Sequence, residues 1–222
     1  EVSSVDGYVG HYQSEASWAT IRNGAGTDAN DTDWNGIKMY ITGALPTYWV
    51  RLYRPIILFD TSGLPDDAIK TSATLSIDGA GKVDNLSISP FSLNIYSSNP
   101  ASNIVLEAAD YITLGAEAFC DTPITYAAWD TADYNDFVLN AAGIAAISTI
   151  GVTKLGARDT YYDVPNNSPG VPSGNTYSNI IGHAADTGSG SKPKLVVIYE
   201  LAVGLENKSA NMAAKMIAGK LI

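Results

Sequence analysis

The sequence predicts an all-β protein: a jelly-roll-like antiparallel β-sandwich with short helical turns and a C-terminal helical tail. Three observations carry this. First, the apolar run Tyr53-Arg54-Pro55-Ile56-Ile57-Leu58-Phe59 ends in the polar turn Asp60-Thr61-Ser62-Gly63-Leu64-Pro65. A second run, Ser72-Ala73-Thr74-Leu75-Ser76-Ile77, follows within a few residues, which reads as strand, corner, strand. Second, a matching stretch, Lys194-Leu195-Val196-Val197-Ile198-Tyr199, lies far downstream, just after Pro193, so strands distant in sequence must come together. Third, charged residues make up only 16% of the chain, while Gly, Ser, Thr, Asn and Asp are abundant, the chemistry of strands joined by turns.

The elements follow in order. Asp6-Gly7-Tyr8-Val9-Gly10-His11-Tyr12 reads as the first strand and Trp18-Ala19-Thr20-Ile21-Arg22 as a second. Residues 23–36 concentrate Gly, Asn and Asp and are expected as a loop. Residues 38–41 and 48–59 read as strands, residues 66–69 as the corner before a strand at 71–77, and residues 92–96 as a strand with clean alternation. Residues 104–115 form a longer excursion with a short helix near Ala108-Ala109-Asp110-Tyr111. Residues 124–126 are strand-like and residues 134–139 a strand. Residues 141–149 follow with apolar residues at helical spacing (Ile144, Ile147, Ile150), which predicts one or two turns capping the sandwich. Residues 152–158 read as a strand, 161–179 as a long loop, 180–183 as a short strand, 186–191 as a turn and 194–201 as the closing strand. Residues 206–222 are helical in character, with Met212, Met216, Ile217 and Leu221 as an apolar stripe opposite Lys208, Asn211, Lys215 and Lys220. A helix with one such stripe is marginal alone in water, so this stripe is expected to dock on a partner surface. The expected division is a sandwich at 1–202 and a docking or assembly segment at 203–222.

The 222 residues suit one main domain, long enough to bury about 70% of the surface the unfolded chain exposes. A net charge of −10 argues against nucleic-acid binding, which needs a cationic footprint. No apolar run is long enough to span a bilayer as a helix, so no membrane insertion is expected. The single cysteine, Cys120, rules out an internal disulfide and reads as a small buried hydrophobe.

Catalysis is not expected. There are two histidines, His11 and His183, and no HExxH, GxSxG or phosphate-loop motif. Asp110, Glu117, Asp130 and Asp159 are carboxylates that glycoside hydrolysis could use, but nothing in the spacing selects a pair. Calcium is the one cofactor expectation. Asp28, Asn30, Asp31 and Asp33 supply hard oxygen ligands at close spacing beside glycine, although the twelfth position counted from Asp28 is Met39, so the EF-hand pattern fails. An ordinary Asx-rich turn is the other reading of those residues. Asp6 and Glu200, on strands expected to be neighbours, are a second and weaker calcium expectation. For glycan contact the aromatic candidates are Trp34, Trp129, Tyr161, Tyr162 and Tyr177, with Tyr48 and Trp49 beside them. Tyr161-Tyr162 is expected at the surface because it sits in a loop rich in Pro, Asn and Gly.

Arg54-Pro55-Ile56-Ile57-Leu58-Phe59-Asp60-Thr61-Ser62-Gly63-Leu64-Pro65, followed by Ile69-Lys70-Thr71-Ser72-Ala73-Thr74-Leu75, resembles the core signature of the DNRLRE (disaggregatase-related) β-sandwich domains, which are grouped with the carbohydrate-binding modules of family 96. Asp6-Gly7-Tyr8-Val9 is similar to the opening strand of that family, and Pro193-Lys194-Leu195-Val196-Val197-Ile198-Tyr199 to its closing strand. The resemblance spans roughly residues 6–200. Residues 94–101 and Ile124-Thr125-Tyr126-Ala127-Ala128-Trp129 are similar to versions found in phage and marine metagenomic virion proteins. The resemblance implies a structural or adhesive module of a tailed phage, a capsid decoration or fibre-type protein at the virion surface. Capsid or fibre proteins, or a second copy of the chain, would be its partners, with polysaccharide as a further contact. The alternative it implies is a secreted carbohydrate-binding module, and a polysaccharide lyase or hydrolase comes third. Members of the family that bind polysaccharide usually carry a tryptophan directly after the threonine before the middle strand. Here Thr125-Tyr126-Ala127-Ala128-Trp129 displaces it.

Overall fold

A computed structural model of the chain describes residues 5–172, 174–187, 190–201 and 217–218. Among these, every strand pairing is antiparallel. Strand β1 (Asp6–Ala16) opens the fold. Residues 18–22, expected as a strand, instead form helix α1 (Trp18–Asn23). The Ser17 hydroxyl accepts the Thr20 amide at 3.1 Å, and Trp18 and Ile21 lie three apart and are both buried. That cap and that apolar pair outweigh the strand preference of Trp, Thr and Ile. The glycine-rich loop contains a three-residue strand, β2 (Asp28–Asn30), paired to residues 8–10 of β1.

Next come β3 (Ile37–Ala44), β4 (Tyr48–Asp60), the seventeen-residue β5 (Ala68–Asp84) and β6 (Ser92–Ser97). The 104–115 excursion carries a 3₁₀ turn at Ala108–Thr113, as the sequence suggested. Asp110 closes it by accepting the amides of Ala101 and Glu107. Strands β7 (Ile124–Thr125) and β8 (Tyr134–Val138) follow, then helix α2 (Ala141–Ala145), whose cap Asn140 accepts the Gly143 amide at 3.1 Å. Strands β9 (Val152–Asp159), β10 (Tyr177–Gly182) and β11 (Lys194–Leu201) complete the body. Strand β10 starts at Tyr177, inside the segment expected as loop.

Two sheets share β5. Residues 68–76 of β5 pair with β11 and residues 74–78 with β8, forming one sheet. Beyond Gly79 the same strand pairs with β10 in the other sheet, which continues through β3 to β4. Strand β4 pairs with β1 along one edge. Along the other it pairs first with β3 and then with β9, which leads on to β6 and β7. Two strands distant in sequence do come together: residues 72–76 and 194–198 form a direct ladder, with Leu195 opposite Leu75.

Side chains from both sheets form one core. It includes Val9, Ile41, Leu52, Ile56 and Ile180 from one sheet, and Leu75, Ile77, Phe137, Leu195 and Val197 from the other. Burying each such side chain stabilises the fold by roughly 1.5–3 kcal/mol. Cys120 belongs to this core, and burial pushes its thiol up to about 12, so it stays protonated at neutral pH.

In the tail, Met212, Met216 and Leu221 lie outside the described residues. Ile217 is described and corrects the helical expectation at its own position. Ile217–Ala218 form a two-residue strand, β12, paired with Val197 and Val196 at the edge of β11. An edge strand offers unpaired amides and carbonyls that compete with a marginal helix for the same backbone.

Candidate functional site

Strand β3 positions the site. Its alternation sends Ile37, Met39 and Ile41 into the core and leaves Lys38, Tyr40 and Thr42 half-buried on the opposite face. Pairing then places Tyr53 of β4 directly opposite Tyr40, and Asn179 of β10 opposite Tyr40 on its other side. Gly10 of β1 pairs with Tyr53, and the Tyr53 ring occupies the space a Cβ at Gly10 would fill. The absence of that side chain lets four rings from four strands form a column. Tyr8 stacks on Tyr53 at 4.3 Å, Tyr53 meets Tyr40 at 5.6 Å, and Tyr40 stacks on Tyr177 at 4.9 Å.

Polar groups flank the column. The Arg51 guanidinium lies 5.0 Å from the Tyr12 ring and 5.3 Å from the Tyr53 ring, and the Lys38 ammonium 4.9 Å from the Tyr8 ring. Tyr53 donates its hydroxyl to Asp28 at 2.6 Å. Burial raises the phenol pKa values of Tyr8, Tyr40 and Tyr53, so all three stay protonated donors at neutral pH. Asn179, 97% buried beside these rings at 3% exposure, has an Oδ1 with no hydrogen-bond partner among the described residues. Tyr8 and Tyr53 are buried at 8% and 6% exposure, so the column presents the half-buried Tyr40 and Tyr177 to solvent, backed by the other two rings. This chemistry suits a ligand with many hydroxyl groups.

The expected glycan contacts divide. Tyr177 is in the column. Trp34 is 68% exposed in the loop before β3, and Tyr161 is 50% exposed after β9. Tyr162 is corrected as a surface contact. It is 8% exposed and its hydroxyl donates to the Ile88 carbonyl at 2.6 Å, because Asp159 gathers the amides of Tyr161 and Tyr162 and turns the segment inward. Trp129 is likewise corrected: it is 2% exposed, within the core. Its turn is tied down by Lys82, which donates to the carbonyls of Tyr126, Ala127 and Trp129. Trp49 is buried edge-on against Trp18, and Tyr48 is half-buried.

The calcium cluster is corrected too. Asp28 accepts from Tyr53, Asp31 from the Leu106 amide at 3.0 Å, and Asp33 binds Lys38 at 2.9 Å, while Asn30 caps the Thr32 amide. The four side chains are drawn to four different partners. Among the described residues no group of three or more His, Cys, Asp or Glu side chains is placed to hold a metal ion. Asp6 and Glu200 are not on paired strands: β1 pairs with β2 and β4, and Asp6 accepts the Ala185 amide at 2.8 Å.

Of the carboxylates considered for catalysis, Asp110, Asp130 and Asp159 accept backbone amides. His11 bonds the Ala25 carbonyl, and His183 lies 3.7 Å from Asp78. Neither is hydrogen-bonded to a serine, threonine or cysteine side chain among the described residues.

Sequence reading missed Tyr8, Tyr40, Tyr53 and Arg51 as one group. The signal available was the outward phase of β3 and β4, but four strands must be paired before those residues meet. No protein-family model matches the chain, and no curated protein matches it.

Proposed function

We propose that this chain is a non-catalytic adhesive module, a decoration or fibre-type domain at the surface of a tailed-phage virion, whose tyrosine face holds a polysaccharide. The observation that carries the binding reading is the four-ring column of Tyr8, Tyr53, Tyr40 and Tyr177 with Asn179 beside it. The rings are already fixed by one another, so ligand binding costs little side-chain entropy. Arg51, Asp28 and the phenols supply donors and acceptors for sugar hydroxyls. The virion setting rests on the family resemblance and on the acidic charge, with capsid or fibre proteins or a second copy as the partners. The same face supports a second reading, a secreted carbohydrate-binding module, which the family resemblance also favours.

The test is affinity gel electrophoresis of the full chain against a panel of neutral and acidic polysaccharides, followed by titration calorimetry with those that retard it. Tyr40→Ala and Tyr177→Ala are each expected to cost roughly 1–2 kcal/mol, a five- to thirty-fold weaker Kd. If no polysaccharide binds, or both variants bind like the parent, the reading is wrong.

A further inference from the structure

Away from the tyrosine face, three arginines converge on one aspartate. Asp163, in the turn after β9, is wholly buried. Its Oδ2 accepts from Arg54 Nε at 2.8 Å and Arg158 Nε at 3.0 Å. Its Oδ1 accepts from Arg54 Nη2 at 2.6 Å and Arg158 Nη2 at 2.8 Å. One carboxylate thus grips two guanidiniums, each in the bidentate manner. Arg22 of α1 makes a third: its Nε lies 3.5 Å from Asp163 Oδ1 and donates to the Asp163 carbonyl at 2.8 Å.

Charge does not balance here. Three guanidiniums face one carboxylate. Asp159, four residues earlier on β9, accepts the amides of Ser92, Tyr161 and Tyr162. Even with Asp159 counted as ionised, the cluster keeps an excess positive charge. Burial lowers the Arg22 pKa; attraction to Asp163 opposes that shift, and repulsion from Arg158 and Arg54 adds to it. The remaining hydrogen bonds leave N–H groups over. Arg54 donates further to the carbonyls of Tyr111 and Arg22, Arg158 to Gly115, and Arg22 to Asn23 Oδ1 and the Val164 carbonyl. A guanidinium has five N–H donors, so each of the three keeps at least one without an acceptor among the described residues.

These groups line a cleft of about 260 Å³ that opens to solvent. Its walls are Arg22, Asn23, Arg54, Ile112, Leu114 and Arg158, with no carboxylate among them. In a protein of net charge −10, a cleft walled by three arginines and no acid is an exception. At ~30 Å³ per water it has room for more than a bare ion.

We propose that this cleft is an oxyanion site that takes a sulfate or phosphate group, either free or as the end group of a larger ligand. The surplus guanidinium N–H groups bind its oxygens, and Ile112 at the rim contacts whatever the group is attached to.

The experiment is titration calorimetry of the full chain with sodium sulfate and with sodium phosphate, in sodium chloride at constant total ionic strength. A sulfated oligosaccharide and its unsulfated counterpart follow. Two variants leave the Arg54–Asp163–Arg158 grip intact: Arg22→Gln, which removes the surplus cation, and Ile112→Glu, which puts a negative charge at an exposed rim position. The expected result is saturable binding of the anion, weakened at least tenfold by each variant and unchanged by Tyr40→Ala. A sulfated oligosaccharide that binds more tightly than inorganic sulfate assigns the site to an ester group on a larger ligand. Equal affinity assigns it to the free ion. Heat no different from chloride, or equal binding by parent, Arg22→Gln and Ile112→Glu, overturns the proposal. Retention of sulfate binding when Tyr40→Ala has lost polysaccharide separates this site from the sheet face.

Discussion

Asp163 and its neighbour Asp159 lie four residues apart, are both buried, and titrate in opposite directions. Burial alone would raise Asp163, but the Arg54 and Arg158 guanidiniums outweigh it and hold the carboxyl at about 2. Asp159 has only backbone amides to offset burial, Asp6 has backbone amides and a smaller attraction to Lys192, and both stand at about 6. The consequences for stability differ in sign. The Asp163 contribution is complete above the ordinary value of 3.8 and is lost as pH falls toward 2. Asp159 and Asp6 hold a proton in the folded state that the unfolded chain releases near 3.8. Their contribution is full below that value and is lost as pH rises through 6, on the order of 2–3 kcal/mol each. The protein should therefore be more stable at pH 4.5 than at pH 7.5. Asp6→Asn keeps a carbonyl for the Ala185 amide and should flatten that dependence. Urea midpoints at the two pH values decide it: equal midpoints for the parent, or an unchanged slope in the variant, contradict the assignment. None of this was legible in the sequence. Arg54 reads there as one polar residue inside an apolar strand, and its partner lies 109 positions away.

Among the elements, β5 does the most to shape the fold, because one strand serves two sheets. The change of sheet occurs at Gly79, where a Cβ would lie 1.8 Å from the backbone oxygen of Asp130. A backbone atom cannot swing aside as a side chain can, so Gly79→Ala must shift the 130–135 segment or bend β5. The expected cost is about 1–3 kcal/mol or more, with faster amide exchange in β8 and β10 than in β1. Parent-like exchange in both strands would show that the crossover tolerates a side chain. Elements with their own pattern were legible: β3, β6 and β11 alternate or run apolar, and α2 showed in the helical spacing of Ile144 and Ile147. Helix α1 and strand β2 were not. The first depends on one serine cap against strand-forming residues, and the second exists only because β1 lies alongside to pair with it.

At the scale of the whole molecule, the sandwich leaves β11 at an edge, and Ile217–Ala218 pair with it. The tail therefore meets the body at a strand edge, the kind of surface that also recruits other chains. If the tail is an assembly segment, the full chain should form a defined oligomer and a 1–202 truncation a monomer. Size-exclusion chromatography with light scattering, in calcium and in chelator, reads this directly. Equal masses for both chains in every condition would leave the tail without an assembly role.

The sequence by itself determined the all-β class, the order of most strands and the buried place of Cys120; the ladder between β5 and β11 came from the structure. Alternation and turn chemistry are local, and burial follows from them. Tertiary structure alone decided which aromatics meet. It brought Tyr8, Tyr40, Tyr53 and Tyr177 together from four strands, sent Trp129 and Tyr162 inward, and dispersed Asp28, Asn30, Asp31 and Asp33 among separate partners. Strand register fixes these meetings, and register is a property of pairs of strands that neither strand encodes alone.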